Sequence, residues 1–171
     1  MALFRRRGGS ADEPPADVYI GLRRQILELE PAEAGLRPTV TLPHVWGVVM
    51  ETGHDPGVST LVALADGTTS LYLSSGGGVI GAGQHPHIAA ATLELLRVAE
   101  EHLGQLPSST TTELPASGRV IIRALTYAGR RAIEADENDL GHGRHPLSPV
   151  FLAAHDVIGH MREAEERRAR G

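Results

Sequence analysis

The sequence predicts an α+β domain: a mainly antiparallel sheet of about five strands flanked by three helices, in the order α-βββ-α-ββ-α. Three observations carry this. Runs rich in β-branched residues stand apart from stripes with helical spacing. Asp66-Gly67 separates two such runs and reads as a two-residue hairpin turn, because both residues accept positive φ. Ala128-Gly129 separates a second pair. Hairpins in both halves set the strands antiparallel, and the helices then cover the faces of one sheet.

The elements follow in order. Residues 1–16, with Gly8, Gly9, Ser10, Asp12, Glu13, Pro14 and Pro15, have little to bury and read as a flexible tail. A single domain is expected over 17–163, with 164–171 as the charged end of its last helix. Asp17 is placed to cap a helix over about 18–30, with Val18, Leu22, Ile26 and Leu29 as its buried stripe and Arg23 and Arg24 facing elsewhere. Pro31 stops it, and residues 31–43 form a surface connection. His44–Thr52 is a central strand, apolar on both faces, with Trp46, Val48 and Met50 on one and Val45 and Val49 on the other. Strands Val58–Ala65 and Thr68–Ser75 flank the Asp66-Gly67 turn. After the glycine-rich loop at 76–83, Pro86 opens a helix at its first turn, where its missing donor costs nothing. Ile88, Thr92, Leu95, Leu96, Ala99 and Leu103 are its stripe. Residues 105–118 read as a loop, Arg119–Tyr127 and Arg130–Ala135 as a strand pair. Ser148 and Pro149 begin the last helix, which buries Phe151, Ala154, Ile158 and Met161.

Composition excludes several chemistries. There is no cysteine, so disulfides, thiolate nucleophiles, iron–sulfur ligation and cysteine-type zinc sites are ruled out. All sixteen basic residues are arginine. Without lysine there is neither a Schiff base of the pyridoxal type nor a P-loop. This bias suits a GC-rich bacterial genome. A net charge of −5 gives no general attraction to nucleic acid. No window is apolar enough for a membrane span or a signal peptide, and a cytoplasmic location is the expectation.

Two loops are the candidate sites. Gly76-x-Gly78-x-x-Gly81 matches the dinucleotide pattern in letters. The tight hairpin before it, the late start of the helix and the lack of an acidic residue closing the next strand all count against a nucleotide. What remains is glycines that let the helix approach the sheet, or an anion site at the helix start made by Gly81, Gly83, His85 and His87. The nine histidines raise a divalent-metal site built from His85, His87, His142 and His145, conditional on the two loops meeting. Against it stands a scatter of surface imidazoles. Asp136-x-Asn138 begins like a calcium loop, but Leu140 and Leu147 occupy ligand positions. There is no H-E-x-x-H and no G-x-S-x-G, and Glu51 and Asp66 both fall at turn edges.

The hairpin at Asp66-Gly67, the glycine loop, the alanine-rich helix start (Ala89, Ala90, Ala91), the leading helix at 18–30, the later strand pair and the closing helix together resemble the bacterial roadblock/dynein light chain-like domains. The likeness spans roughly residues 17–163 as topology and carries no catalytic residue. The strand at 44–52 and the proline-rich connection depart from it. It implies a small dimerising platform, in some bacteria a partner of small GTPases. The leading expectation is a non-enzymatic binding, regulatory or scaffold protein that acts on a protein partner or as a homodimer, without cofactor. The alternative is a small enzyme or ligand-binding protein using the Gly76–His87 and 136–146 loops.

Overall fold

Val45–Gly53 is the strand around which the sheet is built, because it is buried along its whole length and hydrogen-bonded on both sides. The computed structural model describes Leu3–Phe4 and residues 15–171, and most of the expected N-terminal tail lies outside the described residues. Its strands are β1 (Leu3–Phe4), β2 (Val45–Gly53), β3 (Val58–Leu64), β4 (Thr69–Leu73), β5 (Gly78–Val79), β6 (Arg119–Thr126) and β7 (Gly129–Asp136). They form one antiparallel sheet in the order β1-β5-β4-β3-β2-β6-β7. The fold is α+β. The five long strands and three long helices stand in the predicted order, supplemented by two two-residue strands and a short helix.

Helices α2 (Pro86–Glu101) and α4 (Ser148–Arg170) cover one face. Ile88, Leu95 and Leu96 of α2 and Ala154, Val157 and Met161 of α4 bury there against Val48, Met50, Leu61 and Ile122. Each large apolar side chain so removed from water stabilises the fold by about 1.5–3 kcal/mol. Helix α1 (Asp17–Glu28) covers the opposite face over a smaller cluster of Ile26, Leu36, Trp46, Val49, Val62, Leu64 and Leu125. The segment from Leu106 to Ala116 begins against the outer edge of β7, where Ala132 and Ser109 exchange backbone hydrogen bonds with Pro107 and Arg130. It ends against β2, where a Cβ on Gly53 would stand 1.9 Å from the Ala116 carbonyl oxygen.

Four expectations change. The hairpin turn is made by Ala65 and Asp66, with the Gly67 amide donating to the Leu64 carbonyl at 2.9 Å, and only Gly67 takes positive φ, at 88°. The register of β2 against β6 shifts between Val45 and Gly47, so a bulge there exchanges the faces of the first two residues. Val45 joins the core under α2 and α4, and Trp46 packs with Val49. In α1 the buried face is Tyr19, Arg23 and Ile26 rather than Val18, Leu22 and Ile26; Val18 is 42% exposed. The acidic run at 136–141 is a short helix, α3 (Glu137–Gly141), because the Asp136 carboxylate accepts hydrogen bonds from the free amides of Asn138 and Asp139.

Candidate binding cleft

The rotation of α1 has a chemical cause at Glu51. This carboxylate stands in the middle of the sheet face, entirely excluded from solvent, and not at a turn edge. A leucine on α1 could not neutralise it; Arg23, four residues after Tyr19 on the same helical face, does. Arg23 Nε donates to Glu51 Oε1 at 2.6 Å and Nη2 donates to Oε2 at 3.0 Å, a two-pronged pair. Arg123, from the neighbouring strand β6, donates through Nη1 to Oε2. Thr60, opposite Glu51 in the β2–β3 ladder, donates to Oε1 at 3.0 Å. Since the Thr60 proton is used there, the 2.8 Å contact between Tyr19 and Thr60 has the tyrosine as donor.

Burial alone would push the Glu51 carboxyl up. The hydrogen bonds and charges of Arg23 and Arg123 outweigh it and hold the group below the ordinary carboxylate range. Burial pushes Tyr19 to about 12 against the hydrogen bond to Thr60, so the phenol is neutral at any physiological pH. Arg123 is pushed down by burial, with the like charges of Arg23 and Arg130 adding to this and Glu51 opposing it. An arginine begins so high that Arg123 stays charged wherever the protein is folded. With four donors on it, the Glu51 carboxylate has no lone pair left for a substrate. The cluster is therefore a structural joint and not an acid–base centre.

The joint also holds a loop. Arg23 Nη2 donates to the Thr112 carbonyl at 2.6 Å, and Arg123 Nη2 donates to the Glu113 carbonyl at 2.9 Å. One buried carboxylate thus fixes both α1 and the Thr112–Leu114 segment over the same sheet face. Between them opens a cleft of about 350 Å³. Arg23, Arg24 and Arg130 line it together with Ile20, Leu27 and Leu114. Ile20 and Leu114 are among the few large apolar side chains that remain exposed. The volume is within the range of small-ligand sites, about 300–1,000 Å³.

The loop residues expected to form sites are placed as follows. Gly81 takes a left-handed φ of 73°, and a Cβ on Gly83 would stand 1.9 Å from the Gly67 carbonyl oxygen. The hairpin turn and the helical turn Ala82–Gln84 that leads into α2 are thus pressed together, which by itself requires glycine at 83. His85 and His87 lie together, ring centres 5.8 Å apart, and the imidazole that joins them is His160 of α4, 5.5 Å from His87. His142 Nδ1 instead meets the Asn138 carbonyl at 2.7 Å, and His145 Nδ1 accepts from the Leu147 amide at 3.0 Å. Among the described residues, no group of three or more His, Asp or Glu side chains is gathered closely enough to hold a metal ion. His155 lies exposed on α4, its ring centre 4.3 Å from that of Phe151. Among the described residues, no helix is long and apolar enough to cross a membrane.

From the sequence alone Glu51 falls at a turn edge, and Arg123, Thr60 and Tyr19 receive no role. A signal was present: each of the two most apolar strands carries one charged residue in its interior, and the signs are opposite. Compared with known proteins, the chain matches no family model, and no curated protein and no solved structure is significantly similar to it.

Proposed function

We propose that the protein is a non-enzymatic binding module whose working surface is the cleft between α1 and Thr112–Leu114, and whose ligand is a segment of a protein partner. One observation carries this. The walls are fixed from below by a saturated buried carboxylate, and what they expose is arginine side by side with isoleucine and leucine. Arginine and apolar anchors in a preformed concave site are the usual means of holding a peptide segment. The resemblance in element order to roadblock/dynein light chain-like platforms points to the same kind of role.

Selection of a peptide-display library on the purified chain, followed by NMR mapping of the enriched peptides, tests the proposal. The expected result is amide shifts concentrated in α1 and residues 110–116. Affinity should fall at least about tenfold in Leu114→Asp and stay unchanged in Leu152→Asp, a control at an exposed leucine of α4. Peptides that map to α4 or to the 76–87 loop, or an unaffected Leu114→Asp, would refute it.

A further inference from the structure

We infer that the cleft recognises a carboxylate side chain flanked by apolar residues, that is, an aspartate or glutamate in an acidic-apolar segment of the partner. The inference rests on the reading of this cleft as the working surface. It starts from unspent hydrogen-bonding capacity. Arg130 stands in β7 beside Leu125 and points to the α1 face. Its Nη2 donates to the Thr110 carbonyl at 3.2 Å, while its Nη1 is shielded from solvent and has no acceptor among the described residues. The Nε of Arg123, beneath the same face, is likewise shielded and without an acceptor. A buried guanidinium donor without a partner costs free energy; of the two arginines only Arg130 lines the cleft, so an acceptor seated there recovers this cost when Arg130 turns Nη1 toward it.

Charge points the same way. Arg130 is near enough to Arg123 for the like charges to repel. Of the charged residues that line the cleft, Arg23 is paired with Glu51 inside the joint, which leaves Arg24 and Arg130 against Glu28. The cleft is therefore net positive in a chain whose net charge is −5. The surplus is small, and Glu28 lines the same cleft, which favours a monoanion over a dianionic phosphate. A planar carboxylate matches the guanidinium fork of Arg130, whose Nη1 carries no acceptor among the described residues. Ile20, Leu27 and Leu114 around it offer contact to apolar neighbours of the acidic residue and exclude water from the pair.

The probes are three capped tripeptides, acetyl-Leu-Glu-Leu-amide, its glutamine counterpart and its phosphoserine counterpart, titrated by NMR into the full chain. The expected result is shifts in α1 and residues 110–116, with the glutamate peptide bound at least about tenfold tighter than the glutamine peptide. Arg130→Gln should abolish that difference. Should this variant not fold, Arg24→Gln, at an exposed arginine that also lines the cleft, is measured in its place and should shrink the difference. Equal binding of the glutamate and glutamine peptides in the cleft, or an undiminished difference in these variants, overturns the inference and leaves the proposed binding module standing. Tighter binding of the phosphoserine peptide overturns the assignment to a carboxylate. Absence of shifts in α1 and 110–116 with all three peptides overturns both the inference and the proposed function.

Discussion

Replacing Glu51 with glutamine is expected to lower the free energy of unfolding by about 3–5 kcal/mol, the cost of leaving buried charge without its counter-ion. The side chain keeps its shape but loses its charge. Arg123, 1% exposed, and Arg23, 13% exposed, then face each other without compensation. Against a total stability of about 5–15 kcal/mol for a domain, this is a large fraction. Urea unfolding followed by circular dichroism measures it, and a loss below about 1 kcal/mol would contradict it. The same residue sets an acid limit. Its folded pKa lies below the ordinary value of 4.5, so the stability it contributes is fully present above that value. It is lost as pH falls from there through the folded pKa. In the glutamine variant this part of the acid dependence should be missing. The double variant Glu51→Leu/Arg123→Met should recover part of the loss, since an apolar pair of similar volume removes the two fully buried charges and leaves only the partly exposed Arg23 without its counter-ion.

Gly83→Ala is expected to destabilise by about 3 kcal/mol, at the upper end of overpacking penalties. The added methyl would meet backbone on both sides of the hairpin turn: the Gly67 carbonyl oxygen at 1.9 Å and the Thr69 amide at 3.3 Å. No flexible side chain can yield there. The hairpin and the Ala82–Gln84 turn that leads into α2 must separate, which also disturbs the buried pair of Thr69 and Thr92 hydroxyls, 2.6 Å apart. Gly81→Ala is the control. Its Cβ meets nothing closer than the Gln84 amide nitrogen at 3.8 Å, so only the left-handed φ of 73° is penalised, by about 1 kcal/mol. Thermal and urea midpoints of the two variants check the ranking. Equal effects would show that close approach of the backbone is not what glycine serves at 83.

The sheet and helices were legible because their signals are local. The hairpin was legible at Asp66-Gly67, where Gly67 alone takes positive φ and closes the turn, and Pro86 opens α2 where Pro is tolerated. The stripe of Ile88, Thr92, Leu95, Leu96 and Ala99 is buried as its spacing requires. The errors arise where a tertiary partner overrides a local pattern. Val18 and Leu22 look like the inner face of α1 until Glu51 is known to need Arg23. Trp46 and Val45 exchange sides because a bulge, invisible in the alternation of residues, shifts the register. The cleft was the least legible part. Arg23, Arg130 and Leu114 are separated widely along the chain and belong to a helix, a strand and a segment that resembles a linker. Only the chain's path across the sheet brings them together. The histidines show the opposite case: His85 and His87 do lie together, but their third neighbour is His160 from α4, which no loop-to-loop argument would select.

Glu51 is the group that holds α1 to the sheet and so shapes the cleft. Native-state hydrogen exchange in the wild type and in Glu51→Gln, compared segment by segment under strongly native conditions, measures this directly. The predicted result is that amides of Asp17–Glu28 lose at least about tenfold more protection than those of β3 and α2, because α1 opens locally once its anchor is gone. Equal loss of protection across α1, β3 and α2, or unchanged exchange in α1, would contradict it.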